Sequence, residues 1–294
     1  MSDGVLLLDK PLGLSSNAAL QEAKRFFGAK KAGHGGTLDP LASGLLVILF
    51  GEATKFAGPM LDADKEYLAT VKLGERTDTG DAEGRIVESH PVDVSVDRIH
   101  AALARFRGEI EQLPPMHSAL KHEGVPLYKI ARKGGTVERK VRRVRIHELE
   151  LLARKADLLE LRVRASKGTY IRTLAEDIGG VLGTGAHLAA LRRTASGLFS
   201  VRDAVTLDEL RASGDRSKLR PLASLLQGLP RTELDAAAEA RLRNGQPLKI
   251  SDVGDGVRAL YRADGGVIGL GAAAEGVLRA LRLTQAADKH RKTL

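Results

Sequence analysis

The chain has 294 residues, enough for a large core and a smaller module, and its 43% hydrophobic and 28% charged residues are ordinary for a globular protein. It has no Cys, which excludes disulfides, thiolate catalysis and Cys-based zinc sites, and no Trp. Lys and Arg total 46 against 37 Asp and Glu, so the formal charge is +9 and a polyanionic partner is a reasonable expectation.

In chain order, Gly4 to Asp9 reads as a short buried strand, and Asp9 ends the apolar run too early for a signal segment or membrane span. The turn Lys10-Pro11-Leu12-Gly13 follows, then a helix capped by Ser15, Ser16 or Asn17 and running to about Phe27. Lys30 to Pro40 is glycine-rich and irregular. Leu45 to Phe50 is uniformly apolar, as in a strand covered on both faces. From Glu66 to Leu73, Tyr67, Ala69, Val71 and Leu73 share one strand face, and Arg76 to Gly84 is a polar loop. Ile99, Leu103 and Phe106 mark a helix from Val96 to Phe106.

Leu113 to Lys133 is a proline-punctuated connection with a short amphipathic piece, and Arg132 to Arg145 is strongly basic. Leu159 to Ala165 alternates as a strand. Gly168 and Thr169 break it, and Ile171, Leu174, Ala175, Ile178 and Leu182 predict a helix. A domain boundary is expected near Arg220 to Arg231. Beyond it, Val257–Arg262 and Val267–Leu270 flank the turn Asp264-Gly265-Gly266, which suggests a small β-rich module with a frayed basic tail at Lys289 to Lys292. Strands and helices interleave without a βαβ period, so the expected class is α+β, not a doubly wound sheet.

Ala32 to Pro40 is the most informative segment. Its glycines permit close backbone approach, and a carboxylate, Asp39, sits on a loop between buried strands. On residues alone, a plain glycine-rich turn with Asp39 as a cap is the stronger reading. No Gly-Lys dipeptide, G-x-G-x-x-G or H-E-x-x-H occurs, so a P-loop, dinucleotide fingerprint or zinc-hydrolase helix is excluded. Asp78, Asp81 and Glu83 fail the calcium-loop spacing. Ser166 to Thr173 lies at a strand-to-helix junction and places Arg172 in a first helical turn, where an Arg often has a carboxylate or phosphate partner; on residues alone an exposed Arg without a role is an equal reading.

Several ordered blocks carry a resemblance: GVLLLDKP from Gly4, GHGGTLDPLASGL from Gly33, GEATK from Gly51, KEY at Lys65 and GERTDTGD from Gly74. It continues at Phe106-Arg107-Gly108, QLPPMHSALK from Gln112, SKGTYIRT from Ser166, and Gly185 to Arg193. Together they resemble the TruB family of tRNA pseudouridine-55 synthases across residues 4 to about 230. The resemblance implies a pseudouridine synthase catalytic domain over 1–228, with a mixed, mainly antiparallel sheet and flanking helices. It also implies a PUA-like RNA-binding domain over 229–294. The implied activity is isomerisation of uridine 55 in the T loop of tRNA, by base flipping and without cofactor or metal.

The resemblance makes Asp39 the nucleophile, Arg172 its ion-pair partner and Tyr67 the active-site aromatic that stacks on the base and helps remove the C5 proton. His34, Tyr170, Leu191 and Lys10 become substrate-binding residues, with Lys10 and Asp9 organising the floor of the site. The basic insertion at about 121–145 would clamp the T loop through phosphates. His117 stands where the family more often has Tyr or Phe. A cytoplasmic monomer that acts on the T arm of tRNA, with neither membrane nor protein partner, is expected. Two competing readings are a non-catalytic RNA binder, which would need neither Asp39 nor Arg172, and a two-carboxylate glycosidase, which the basic charge fits poorly.

Overall fold

The computed structural model describes residues 3–251 and 253–285, so the expected fraying of Lys289 to Lys292 lies outside the described residues. The largest element is a ten-stranded sheet. Its strands are β1 (Gly4–Lys10), β2 (Ala32–His34), β3 (Ala42–Phe50), β4 (Lys65–Leu73), β5 (Gly108–Gln112), β6 (Arg142–Lys155), β7 (Leu158–Ala165), β8 (Ala186–Ser196), β9 (Phe199–Ser200) and β10 (Val205–Thr206). The spatial order is β10-β1-β3-β8-β4-β7-β6-β5, with β2 beside β3 and β9 beside β8. The pairs β1–β10 and β3–β8 are parallel and the rest antiparallel. The sheet is therefore mixed and mainly antiparallel, and the class is α+β as expected.

The uniform apolar runs of β1 and β3 have the predicted cause. One face, with Leu6, Leu8, Leu46 and Ile48, packs on Ala19, Ala23 and Phe27 of helix α1 (Ser16–Phe27) and on Leu207 and Leu210. The other face, with Val5, Leu7, Leu45, Val47 and Leu49, meets Phe56, Met60, Leu225 and Leu226. A second core lies over β4, β6, β7 and β8, where Ala69, Val71, Leu149, Leu161 and Val163 pack on helices α2 (Val96–Ala104) and α3 (Ile171–Leu182). Helix α1 is capped by Ser15, whose hydroxyl accepts from the Ala18 amide, and stops at Gly28 in the left-handed region.

Six strands of this sheet, β2, β5, β6, β8, β9 and β10, are not among the expected ones: β2 lies in the segment read as irregular, β5 falls between the expected helix and the connection, and β6 begins in the basic run. The loop expected at Arg76 to Gly84 is flanked by a hairpin, Glu75–Thr77 against Ile86–Ser89. At the C-terminus, β11 (Arg231–Leu234), β12 (Leu248–Lys249), β13 (Gly256–Arg262), β14 (Val267–Ala274) and β15 (Val277–Leu283) form a second sheet in the order β11-β13-β14-β15-β12. Its Ala259 and Leu270 join the apolar cluster behind β1 and β3. Among the described residues no helix is long and apolar enough to cross a membrane.

Candidate active site

The loop between β2 and β3 carries Asp39, and its path is fixed by hydrogen bonds. The Ser16 hydroxyl accepts from the Leu38 amide at 2.7 Å and donates to the Leu38 carbonyl at 2.8 Å, so α1 grips the residue before the carboxylate. The Asp39 carbonyl accepts from the Ala42 amide, and Pro40 accepts from Gly13. Across the cleft, α3 begins at Ile171 and places Arg172 in its first turn. The fully buried Gln112 of β5 sets that start: its amide donates to the Tyr170 carbonyl at 3.2 Å, and its carbonyl accepts from the Tyr170 amide at 3.0 Å.

Arg172 and Asp39 meet. Nη2 of Arg172 lies 3.0 Å from Oδ2 of Asp39, and the guanidinium is 6% exposed against 44% for the carboxylate. The same guanidinium donates to the carbonyls of Thr79 (3.1 Å) and His117 (2.6 Å), and its Nε is 3.5 Å from Oδ2 of Asp81. Asp81 is buried and anchored by the Thr79 hydroxyl and the Glu83 amide. Residue 117 thus contributes its backbone carbonyl to the site, a contact indifferent to the departure from the usual aromatic.

A cavity of about 280 Å³ opens beside Asp39. Tyr67, Tyr170, Arg172 and Leu191 line it with Lys65 and Arg193. Burial pushes the Tyr170 phenol up from its usual value. The Lys65 ammonium donates to the carbonyls of Met60, Leu61 and Ala63, and burial, helped by Arg193, lowers its pKa to about 8.

Two of the expected substrate-binding residues, Lys10 and His34, are outside the lining of this cavity. Lys10 is fully buried and outside the cavity lining, with its ammonium donating to the carbonyls of Pro11 (2.8 Å) and Leu14 (2.6 Å). Burial, the largest cause, brings its pKa to about 8 although Asp39 opposes the shift. It secures the turn after β1; it is not a wall of the pocket. Asp9 beside it is held by Arg192, at 2.6 and 3.0 Å. His34 is also outside the lining, with Nδ1 buried without a hydrogen-bond partner and a pKa lowered by burial and then Arg193. Asp39, in turn, is less enclosed than a dry pocket would make it.

The residues that sequence reasoning passed over are Asp81, Gln112, Lys65 and Arg193. Asp81 belongs to the polar loop that fails the calcium-loop spacing, yet it lies within the GERTDTGD block and pairs with Arg172. The chain matches the family model of the TruB family pseudouridylate synthase N-terminal domain over residues 24–171. It matches that of the tRNA pseudouridylate synthase B C-terminal domain over 172–229.

The chain belongs to the TruB family.

Relatives named tRNA pseudouridine synthase B agree with the TruB assignment. One from Azoarcus sp. (strain BH72) is 54% identical over 284 residues, 96% of this chain and 94% of the relative. One from Burkholderia mallei (strain NCTC 10247) is 54% identical over 291 residues, 96% of each chain. Among solved structures, an H/ACA RNP bound to a substrate RNA containing 2'-deoxyuridine matches with a TM-score of 0.74 and 26% identity, over 97% of this chain and 86% of that one. A Cbf5-Nop10-Gar1 complex matches with a TM-score of 0.71 and 29% identity, over 92% and 78%. The second TruB model covers α3 and β8, so Arg172, Leu191 and Arg193 come from one matched segment and Asp39 and Tyr67 from the other.

Proposed function

We propose that this TruB-family enzyme converts uridine 55 in the T loop of tRNA to pseudouridine, with Asp39 as nucleophile. The observation that carries the reading is the Asp39–Arg172 pair at the mouth of a cavity walled by Tyr67, Tyr170 and Leu191. A stacked base reaches such a cavity only by leaving the helix, at a cost of a few kcal/mol. Aromatic walls and a basic surface repay that cost by stacking and phosphate contacts. The everted base would cover the exposed part of Asp39, strengthening its interaction with Arg172 as water leaves.

In this reading the carboxylate divides a difficult displacement into two easier ones. The N1–C1′ bond breaks, the base turns within the cavity, and C5 bonds to C1′. Arg172 holds the carboxylate in line through the geometry of its guanidinium, which also engages Asp81 and two carbonyls. Tyr67 stacks on the base and assists removal of the C5 proton. Lys10 organises the floor of the site, and His34 contacts the RNA around the flipped base.

RNA would be held by two further parts. The insertion at 121–145 forms a short ribbon, Lys121–His122 against Val125–Pro126, a turn of helix at Leu127–Ala131 and an irregular basic return to Arg142. Its cations suit the T-arm backbone. We assign residues 1–228 to the catalytic domain and 229–294 to a PUA-like RNA-binding domain built on the second sheet. The protein is read as a cytoplasmic monomer that needs no cofactor, metal or protein partner.

The test is incubation of unmodified tRNA transcript with the protein and no added metal or cofactor. Pseudouridine is expected at position 55, and Asp39→Ala is expected to make none while binding transcript within about threefold of wild type. Product from Asp39→Ala refutes the nucleophile. Binding without product in wild type leaves the RNA-binder reading standing.

A further inference from the structure

Among the described residues Arg193 is the largest side chain that is fully buried, and it sits in the wall of the cavity. It is the Cα partner of Tyr67 across the β4–β8 ladder, so the two side chains leave the sheet on the same face. Tyr67 and Arg193 line the same cavity, and the phenol is the side chain whose proximity favours the charged guanidinium. The guanidinium donors reach neutral acceptors only: Nε to the Leu45 carbonyl at 2.7 Å, Nη1 to Thr37 at 3.3 Å and Nη2 to Gly36 at 3.1 Å.

Among the described residues no carboxylate forms an ion pair with Arg193, whereas Arg172 has two. Burial lowers the Arg193 pKa, and Tyr67 is the group that opposes the shift. A buried cation without a counter-ion is costly for folding alone. Gly44 shows how closely the sheet is built around it. A Cβ there would come within 2.3 Å of the Arg193 carbonyl oxygen. The neighbouring buried cation, Lys65, has its ammonium committed to three carbonyls, which leaves the Tyr67 phenol to Arg193.

We propose that Arg193 is a positioning residue for the isomerisation, holding the Tyr67 oxygen at the cavity and stabilising it as the phenolate that takes the C5 proton from the reattached base. This rests on the function proposed above. After C5 has bonded to C1′ it carries its hydrogen and the new carbon–carbon bond. The C5 proton passes to the phenolate oxygen and the C5–H electron pair returns to the ring. N1 takes a proton from water, and the phenol returns one to water, so the enzyme ends as it began. Arg193 also ties the carbonyls of Gly36 and Thr37 to the same guanidinium, which links the Asp39 loop to the group that completes the reaction.

The test compares single-turnover rates on T-arm transcripts carrying uridine or 5-deuterouridine at the target. Wild type, Tyr67→Phe, Arg193→Lys and the double variant are measured, with transcript affinity and thermal melting in parallel. Each single variant is expected to react about 10- to 100-fold more slowly, the loss of one hydrogen bond to a charged group. Each should bind within about threefold of wild type and show a larger primary isotope effect than wild type. The double variant should be no more than about threefold slower than the slower single one, because both remove the same contact. Slow Arg193→Lys without an enlarged isotope effect, or rates that multiply, overturns the proposal in favour of loop support alone. If Arg193→Lys does not fold, Tyr67→Phe decides, and an unchanged isotope effect in that variant overturns it. Wild type without product overturns this inference together with the proposed function, while active wild type with failed variants overturns this inference only.

Discussion

Arg172→Lys is the most incisive change the structure offers. The guanidinium spreads its donors over four acceptors: Asp39 at 3.0 Å, the His117 carbonyl at 2.6 Å, the Thr79 carbonyl at 3.1 Å and Asp81 at 3.5 Å. An ammonium is a point donor at the end of a flexible stem and cannot reach acceptors distributed around a plane. Lysine would keep one carboxylate and one carbonyl at best. Two bonds made by a charged group are then lost, each worth about 1.5–3 kcal/mol, or about 3–6 kcal/mol together. Expressed at the transition state, that slows pseudouridine formation by between about 150-fold and 25,000-fold. Single-turnover conversion of a T-arm transcript measures the rate, and filter binding of the same transcript is expected to change little. A melting curve checks that the buried Asp81 still has a partner. A rate within about fivefold of wild type would refute the claim that the planar geometry of Arg172 holds Asp39 in line.

Two further outcomes are expected. Gly44 adopts φ +100° beside the Arg193 backbone, so Gly44→Ala combines a strained conformation with a clash at 2.3 Å and should cost a few kcal/mol. Thermal melting reads this, and a midpoint within about 2 °C of wild type would contradict it. Lys10 and Lys65 both have folded-state pKa values lowered from 10.5 to about 8, burial being the main cause. The unfolded chain therefore binds more protons than the folded one between about 8 and 10.5, and the contribution of these groups to stability grows as pH rises through that window. Unfolding at pH 9 should take up protons, measured from the dependence of the unfolding enthalpy on buffer ionisation, and net release would contradict the assignment.

Much of the fold follows from local patterns. Helix α3 spans Ile171 to Leu182 because its apolar spacing is unbroken and Gly183 stops it in the left-handed region. Strand β4 shows Ala69, Val71 and Leu73 buried on the face that alternation assigns. What stayed hidden was strand structure whose pattern is interrupted by charge. β8 runs through the centre of the sheet, but Arg192-Arg193-Thr194 breaks its apolar character. Arg193 is buried only because carbonyls from two distant segments converge on it. β6 begins inside a basic run, and register shifts at Ile146/Glu148 and Leu151/Ala153 disturb its alternation.

The candidate site divides the same way. The blocks that carry Asp39, Tyr67, Tyr170, Arg172 and Leu191 could be recognised in the sequence, and these residues share one cavity. Asp81 and Gln112 could not be singled out, since a buried acid and a buried amide look like loop and strand-end residues until their partners are known. The partners of Lys10 were hidden for a related reason: the two carbonyls that hold its ammonium become visible only once the turn after β1 is folded.

The position of β8 has a consequence for biosynthesis. β3 and β4 are separated by only fourteen residues in the chain, yet they are not neighbours in the sheet: β8, made more than a hundred residues later, is wedged between them and pairs with both. A nascent polypeptide that has emerged only as far as β7 holds two half-sheets with unsatisfied edges facing one another. Closure waits for the stretch that also delivers Arg193. Loop closure over such a distance slows assembly and leaves strand edges open to wrong partners meanwhile. Premature termination before residue 196 would therefore yield an unzipped precursor, not a weaker enzyme.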